Sequence, residues 1–273
     1  MKILTLCGIV SLISASGAFN LEIFPSPLTV FVNEDVSLKC KVTDFAGAEI
    51  DLDKLGVKWT RNKETAVFSY ETGNQVQNRP GAYISEPDLK RGNASLHLPK
   101  VQIADEGSYT CTVFIVPESA EQASIMKVLA RPNISISSHS ITILNGSEGS
   151  LTCNVNGFYP QQLEISWVKM TKLGSEVVSS DCYTNQVVAN SDNTFNVHSQ
   201  LKIQPTFNNN GDKYRCVVRH LTFPDYFTIE STLTVPEPRN HYVIVASIIC
   251  ILAVVSASFI RYVVKLRGDS SVK

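Results

Sequence analysis

Asp105-Glu-Gly-Ser-Tyr-Thr-Cys111 decides the reading of this chain, together with its later echo, Tyr214-Arg-Cys-Val-Val-Arg-His220. In each, a tyrosine stands two residues before a cysteine. Upstream of the first lie Cys40 and Trp59, and upstream of the second lie Cys153 and Trp167. The residues around these landmarks alternate in character. Val36, Leu38, Cys40 and Val42 are separated by polar residues, as are Val57 and Trp59, and Leu96 and Leu98. Further on, Phe195, Val197, Ser199, Leu201 and Ile203 take every second position, and Tyr214, Cys216, Val218 and His220 follow the same rule. A period of two is that of a strand with one face in a core, so both halves are sheet and not helix.

The order cysteine, tryptophan, Tyr-x-Cys, present twice, resembles that of the immunoglobulin domain. What the resemblance implies is an all-β fold of two tandem immunoglobulin sandwiches. In each, a disulfide joins the two sheets, the tryptophan covers it and the tyrosine hydroxyl ties down a chain corner. It pairs Cys40 with Cys111 and Cys153 with Cys216. The long span from Trp59 to Cys111 leaves room for the extra edge strands of a variable-type domain, and Asp105, Gly107, Tyr109 and Cys111 form the Asp-x-Gly-x-Tyr-x-Cys run of that type. Arg79 is expected to face Asp105 in a salt bridge closing the bottom of the first sandwich. In the second half, Cys153-Asn-Val-Asn-Gly-Phe-Tyr-Pro160 followed by Tyr214-x-Cys216-x-Val218-x-His220 is similar to the constant type known as C1.

The ends carry other signals. With 273 residues, 44% of them hydrophobic, the chain exceeds two domains of about 100 residues each. Residues 1–18 begin with Lys2, continue through an apolar run and end in Ser16 and Ala18 at the spacing of a signal-peptidase site, so a secreted, oxidising context is expected. Residues 242–260 carry no charge and are followed by Arg261, Lys265 and Arg267. A run of that length just crosses a bilayer as a helix, and the cations after it place the C-terminus in the cytoplasm. The expected organisation is a signal at 1–18, a variable-type domain at 19–130, a C1-type domain at 131–235, a stalk at 236–241, a transmembrane helix at 242–260 and a tail at 261–273. The protein is then a single-pass type I protein of the plasma membrane.

A net charge of −1 without a dense basic run gives no support to nucleic-acid binding. Nucleophile-elbow, zinc and phosphate-loop motifs are absent, and the histidines have no partners at ligand spacing, so no enzyme, metal or cofactor is expected. Of seven cysteines, Cys7 falls in the signal and Cys250 in the apolar run. Five remain outside, so at least one has no partner within the chain. That one is Cys182 under the pairing above; it links two copies, is capped by a small thiol or stays buried as a free thiol. Asn-x-Ser sequons at Asn93, Asn133 and Asn145 are expected to carry glycans.

A variable-type domain, a C1-type domain, one membrane helix and a short tail together are similar to the costimulatory-ligand and butyrophilin family, often called the B-seven family. The likeness rests also on Arg79-Pro-Gly-Ala82, Gly92-Asn-Ala-Ser-Leu-His-Leu-Pro99, Thr194-Phe-Asn-Val197 and Cys216-Val-Val-Arg-His220. It implies a cell-surface immune ligand whose partner is an activating or costimulatory protein receptor on natural killer or T lymphocytes. In a variable-type domain the hairpin after Cys111 stands at the end away from the membrane. Its residues Phe114, Ile115, Val116, Pro117 and Glu118 are the expected receptor contact, flanked by the acidic segment at 45–56. Phe114 and Val116 have an alternative role, covering the sheet face. Homophilic adhesion and signalling through a partner's tail are the rival functions.

Overall fold

The computed structural model describes residues 19–45, 49–237 and 241–269, with side chains in the last span described at 247–261. The expected signal at 1–18, residues 238–240 of the stalk and residues 270–273 of the tail lie outside them.

Among the described residues the first domain has ten strands: β1 Asn20–Ile23, β2 Leu28–Phe31, β3 Val36–Leu38, β4 Cys40–Thr43, β5 Leu55–Arg61, β6 Thr65–Glu71, β7 Asn74–Gln77, β8 Leu96–Leu98, β9 Gly107–Ile115 and β10 Glu118–Leu129. Its large sheet runs in the order β2-β10-β9-β5-β6-β7, and the pairs β1-β4 and β3-β8 face it. The alternation seen in the sequence is the inward set: Leu38, Cys40, Trp59, Leu96, Leu98, Tyr109, Cys111 and Val113 are all fully buried. Cys40 and Cys111 are bonded across the sandwich. The Trp59 indole donates to the Ala94 carbonyl at 3.0 Å, and the Tyr109 hydroxyl donates to the Asp105 carbonyl at 2.8 Å.

The second domain repeats the plan with β11 Asn133–Ile136, β12 Ser140–Thr142, β13 Gly149–Phe158, β14 Leu163–Thr171, β15 Gly174–Val178, β16 Cys182–Thr184, β17 Val188–Ala189, β18 Phe195–Ile203, β19 Lys213–His220 and β20 Phe227–Thr234. One sheet is ordered β11-β13-β18-β16, with β17 also on β18, and the other β12-β20-β19-β14-β15. Cys153 and Cys216 join them, and the Trp167 indole donates to the Ser199 hydroxyl at 3.1 Å. A small serine lies opposite each Tyr-x-Cys tyrosine on the last strand, Ser124 beside Tyr109 and Ser231 beside Tyr214. Each leaves room for a ring.

The joint between the domains is built by the Gly-Phe-Tyr-Pro turn. Ala130 and Tyr159 exchange both backbone hydrogen bonds, at 3.0 and 3.1 Å. The Tyr159 hydroxyl donates to the Glu106 carboxylate at 3.1 Å, whose other oxygen accepts from the Val128 amide at 2.9 Å. Burial and the adjacent carboxylate together raise the Tyr159 phenol's pKa. Gly157, at φ +68°, is held by Asn196, whose side-chain oxygen accepts its N–H at 2.9 Å. On the far side of the joint, Arg131 lies over the Phe31 ring, 5.4 Å from its centre. Tyr159 therefore belongs to both domains, since it also packs against the first core.

Beyond the second domain, α2 runs from His241–Asp269 and contains the apolar run at 242–260. Among the residues whose side chains are described, which in this helix are 247–261, no helix is long and apolar enough to cross a membrane. A one-turn helix, α1 Glu86–Leu89, interrupts the first domain.

The expected Arg79–Asp105 pair is present and double. The guanidinium donates to both carboxylate oxygens, at 3.3 and 2.8 Å, and to the Lys100 carbonyl at 3.2 Å. The two side chains are only 18% and 8% exposed, so removing one partner strands a charge away from water. Arg79→Ala should cost about 3 to 5 kcal/mol, measured by denaturant unfolding of the first domain.

His220 gives the second domain a pH dependence. The residue is 5% exposed, with Nε2 3.1 Å from the Pro160 carbonyl and Nδ1 2.8 Å from the Thr222 hydroxyl. The carbonyl can only accept, which assigns the proton to Nε2, and burial lowers the ring's pKa below its usual value. The unfolded chain takes up a proton below about pH 6.5, while the folded ring resists it. Stability is therefore full above that pH and is lost as the pH falls toward the lowered folded value. In thermal unfolding across this window, His220→Gln should flatten the pH slope of the second domain.

Candidate functional site

The hairpin after Cys111 turns at Val116 and Pro117, between Ile115 of β9 and its partner Glu118 of β10. Period-two geometry divides its apolar residues. Phe114 is 43% exposed and Val116 68% exposed, and Pro117 is also exposed. Ile115 is half-buried and packs against the first core, and Glu118 is half-buried. The Val116 amide donates to the Lys54 carbonyl at 3.3 Å, which ties the turn to the 3-10 segment Leu52–Lys54. The end of the acidic segment, at 52–54, therefore lies beside the hairpin, whereas Ile50 donates its amide to the Lys90 carbonyl; residues 46–48 lie outside the described set.

On the outer face of the large sheet, Ser119, Phe114, Gly56 and Glu71 are successive cross-strand neighbours. In the middle of that row, Gly56 leaves the sheet open, and the Phe114 ring lies 3.4 Å from where a Cβ would stand. The opening is a cavity of about 350 Å³ whose lining includes Phe114, Val116, Asp53, Lys54 and Glu71. Phe114 thus combines the two roles left open by the sequence: it covers Gly56 on the sheet face and remains substantially exposed.

Other residues singled out in the sequence lie apart from this end. Asn133 and Asn145 are exposed, Asn133 at the start of strand β11. Asn93 is half-buried, and its side-chain oxygen accepts from the amide and hydroxyl of the buried Ser95, at 3.2 and 2.6 Å. Cys182 is half-buried on β16, with Sγ 3.5 Å from the Val178 carbonyl and 3.6 Å from that of Ser179. The sequence reading missed Gly56, Glu71 and the Tyr159–Glu106 contact. Gly56 carries no motif, and only strand register places it beside Phe114. Among the described residues, no cluster of side chains could hold a metal ion.

Comparison with known proteins agrees with this architecture. Residues 23–128 match the immunoglobulin V-set domain and residues 134–223 the immunoglobulin C1-set domain. Natural cytotoxicity triggering receptor 3 ligand 1 of Homo sapiens is 32% identical over 210 residues, 74% of this chain and 46% of that protein. The CD276 antigen homolog of Xenopus laevis is 26% identical over 259 residues, 90% of this chain and 80% of that protein. The chain spans about half the length of the first of these relatives. A crystal structure of bovine butyrophilin superposes with a TM-score of 0.57 at 20% identity, covering 80% of this chain and 99% of that one, and shows the shared fold. The group is one of binding proteins and not of enzymes. With its V-set domain followed by a C1-set domain, the chain belongs to the immunoglobulin superfamily as a member of the B-seven and butyrophilin type.

Proposed function

We propose that the chain is a cell-surface immune ligand, a single-pass type I glycoprotein of the plasma membrane whose first domain binds an activating or costimulatory receptor on natural killer or T cells. The observation that carries this is the likeness to natural cytotoxicity triggering receptor 3 ligand 1, which extends through both domains. The apolar run at 242–260 serves as the membrane anchor, with the domains at 19–130 and 131–235 outside and the tail at 261–273 inside. Glycans stand on Asn93, Asn133 and Asn145. The receptor meets the hairpin of Phe114, Ile115, Val116, Pro117 and Glu118. Phe114 and Val116 give it an exposed apolar centre on a rigid support, the character of a binding hot spot. The acidic flank, including Asp51 and Asp53, acts on the rate of encounter more than on residence.

The test uses cells displaying the full chain, stained with the soluble ectodomain of natural cytotoxicity triggering receptor 3, with other lymphocyte receptors and with the chain's own ectodomain. Wild type should bind a receptor. Val116→Asp combined with Pro117→Ala should weaken that binding by about 2 kcal/mol or more at an unchanged display level. Asn145→Gln, in the second domain, should leave it unchanged. Staining by the chain's own ectodomain alone would replace the ligand reading with homophilic adhesion. A link between two copies through Cys182 is checked separately: a dimer on non-reducing gels that Cys182→Ser abolishes.

A further inference from the structure

The cavity beside Phe114 has a chemistry that selects what can fill it. Phe114 lies over the bare backbone of Gly56 and lines the cavity with an aromatic ring, and Glu71 borders it one strand further on. Neighbouring strands lie about 4.8 Å apart, so the Phe114 and Glu71 backbones stand about 10 Å from each other, with Gly56 between them. Asp53 adds a second carboxylate at the rim. Among the described residues neither Asp53 nor Glu71 has an ion-pair partner, whereas the nearby Lys54 ammonium is held by Asp51 at 3.3 Å. Lys58 also borders the cavity, one row further along the sheet, opposite Thr112 and Ser69.

We propose that this cavity is the anchor pocket of the ligand surface, taking an arginine side chain from a protruding loop of the protein partner. The guanidinium is the one side-chain head that is flat enough to stack on the Phe114 ring and carries a fork of donors for two carboxylates. Its methylene stem covers the apolar wall made by Val116. An aliphatic anchor would leave Asp53 and Glu71 facing it without a partner, and a lysine would lack the planar stack. The proposal deepens the receptor-ligand reading and rests on it for the partner being a protein.

Gly56 makes a clean test possible. Its backbone is outside the left-handed region and a Cβ there meets the Phe114 side chain at 3.4 to 3.8 Å, so Gly56→Leu displaces the ring on which the guanidinium stacks without straining the backbone. The probe is a phage library of random disulfide-looped peptides selected on the purified full chain in detergent micelles, with no receptor present. Binders that lose at least about tenfold in affinity on Gly56→Leu are expected to carry an arginine. Replacing that arginine by norleucine in the peptide, or Glu71 by Lys in the chain, should produce a loss of the same size. Where Gly56→Leu does not fold to the wild-type unfolding temperature, Glu71→Lys alone decides. Peptides that bind both variants as well as wild type overturn the proposal, as do pocket-dependent peptides without arginine and a library that yields no pocket-dependent binder. Failure of receptor staining, with arginine peptides still held in the pocket, would remove the receptor-ligand reading alone.

Discussion

The rest of the structure depends on the bond between Cys40 and Cys111 beneath Trp59, and on its counterpart between Cys153 and Cys216 beneath Trp167. Each links the two sheets of its sandwich, and each is fully buried. A bridge of this kind contributes about 2 to 5 kcal/mol in a small secreted domain, comparable with its whole net stability. Its second effect is geometric. Cys111 is fixed facing inward on β9, so strand alternation turns Phe114, three residues later, to the outer face. The position of the hairpin and the row through Gly56 and Glu71 both follow from that register.

At the joint, a single residue links the two cores. Tyr159 forms backbone bonds with Ala130, packs on the first core and donates its hydroxyl to Glu106. Glu106 sits immediately after Asp105, the residue that pairs with Arg79 and whose carbonyl accepts from Tyr109. The contacts at the bottom of the first sandwich and those to the top of the second thus meet at two consecutive residues, Asp105 and Glu106.

Much of the architecture was legible because it is written in local periodicity. The inward sets around Cys40, Trp59, Cys111, Cys153 and Cys216 need only a period of two and a few fixed landmarks, and the Arg79–Asp105 pair comes with the variable-type motif. The candidate site was less so. Four apolar residues in a row announce an exposed tip but do not say which side chain lies flat on the sheet. That depends on a glycine more than fifty positions earlier, brought alongside Phe114 by pairing of β5 with β9. The Tyr159–Glu106 contact escaped for the same reason, since each residue looks ordinary within its own segment. Non-local register is the information that a single sequence spreads most thinly.

The three sequons have a consequence for how the molecule presents itself. Asn93 bridges to Lys41 on the face opposite the large sheet, Asn133 begins β11, and Asn145 follows β12 near the far end of the second domain. None of them stands on a strand of the six-stranded sheet. Sugars at these positions would clothe the back and base of the ectodomain and leave its front bald. In a crowded layer of neighbouring glycoproteins, such lopsided clothing acts as a steric compass: the bulky side is turned away from close contact, and the naked sheet is the side along which another surface can approach.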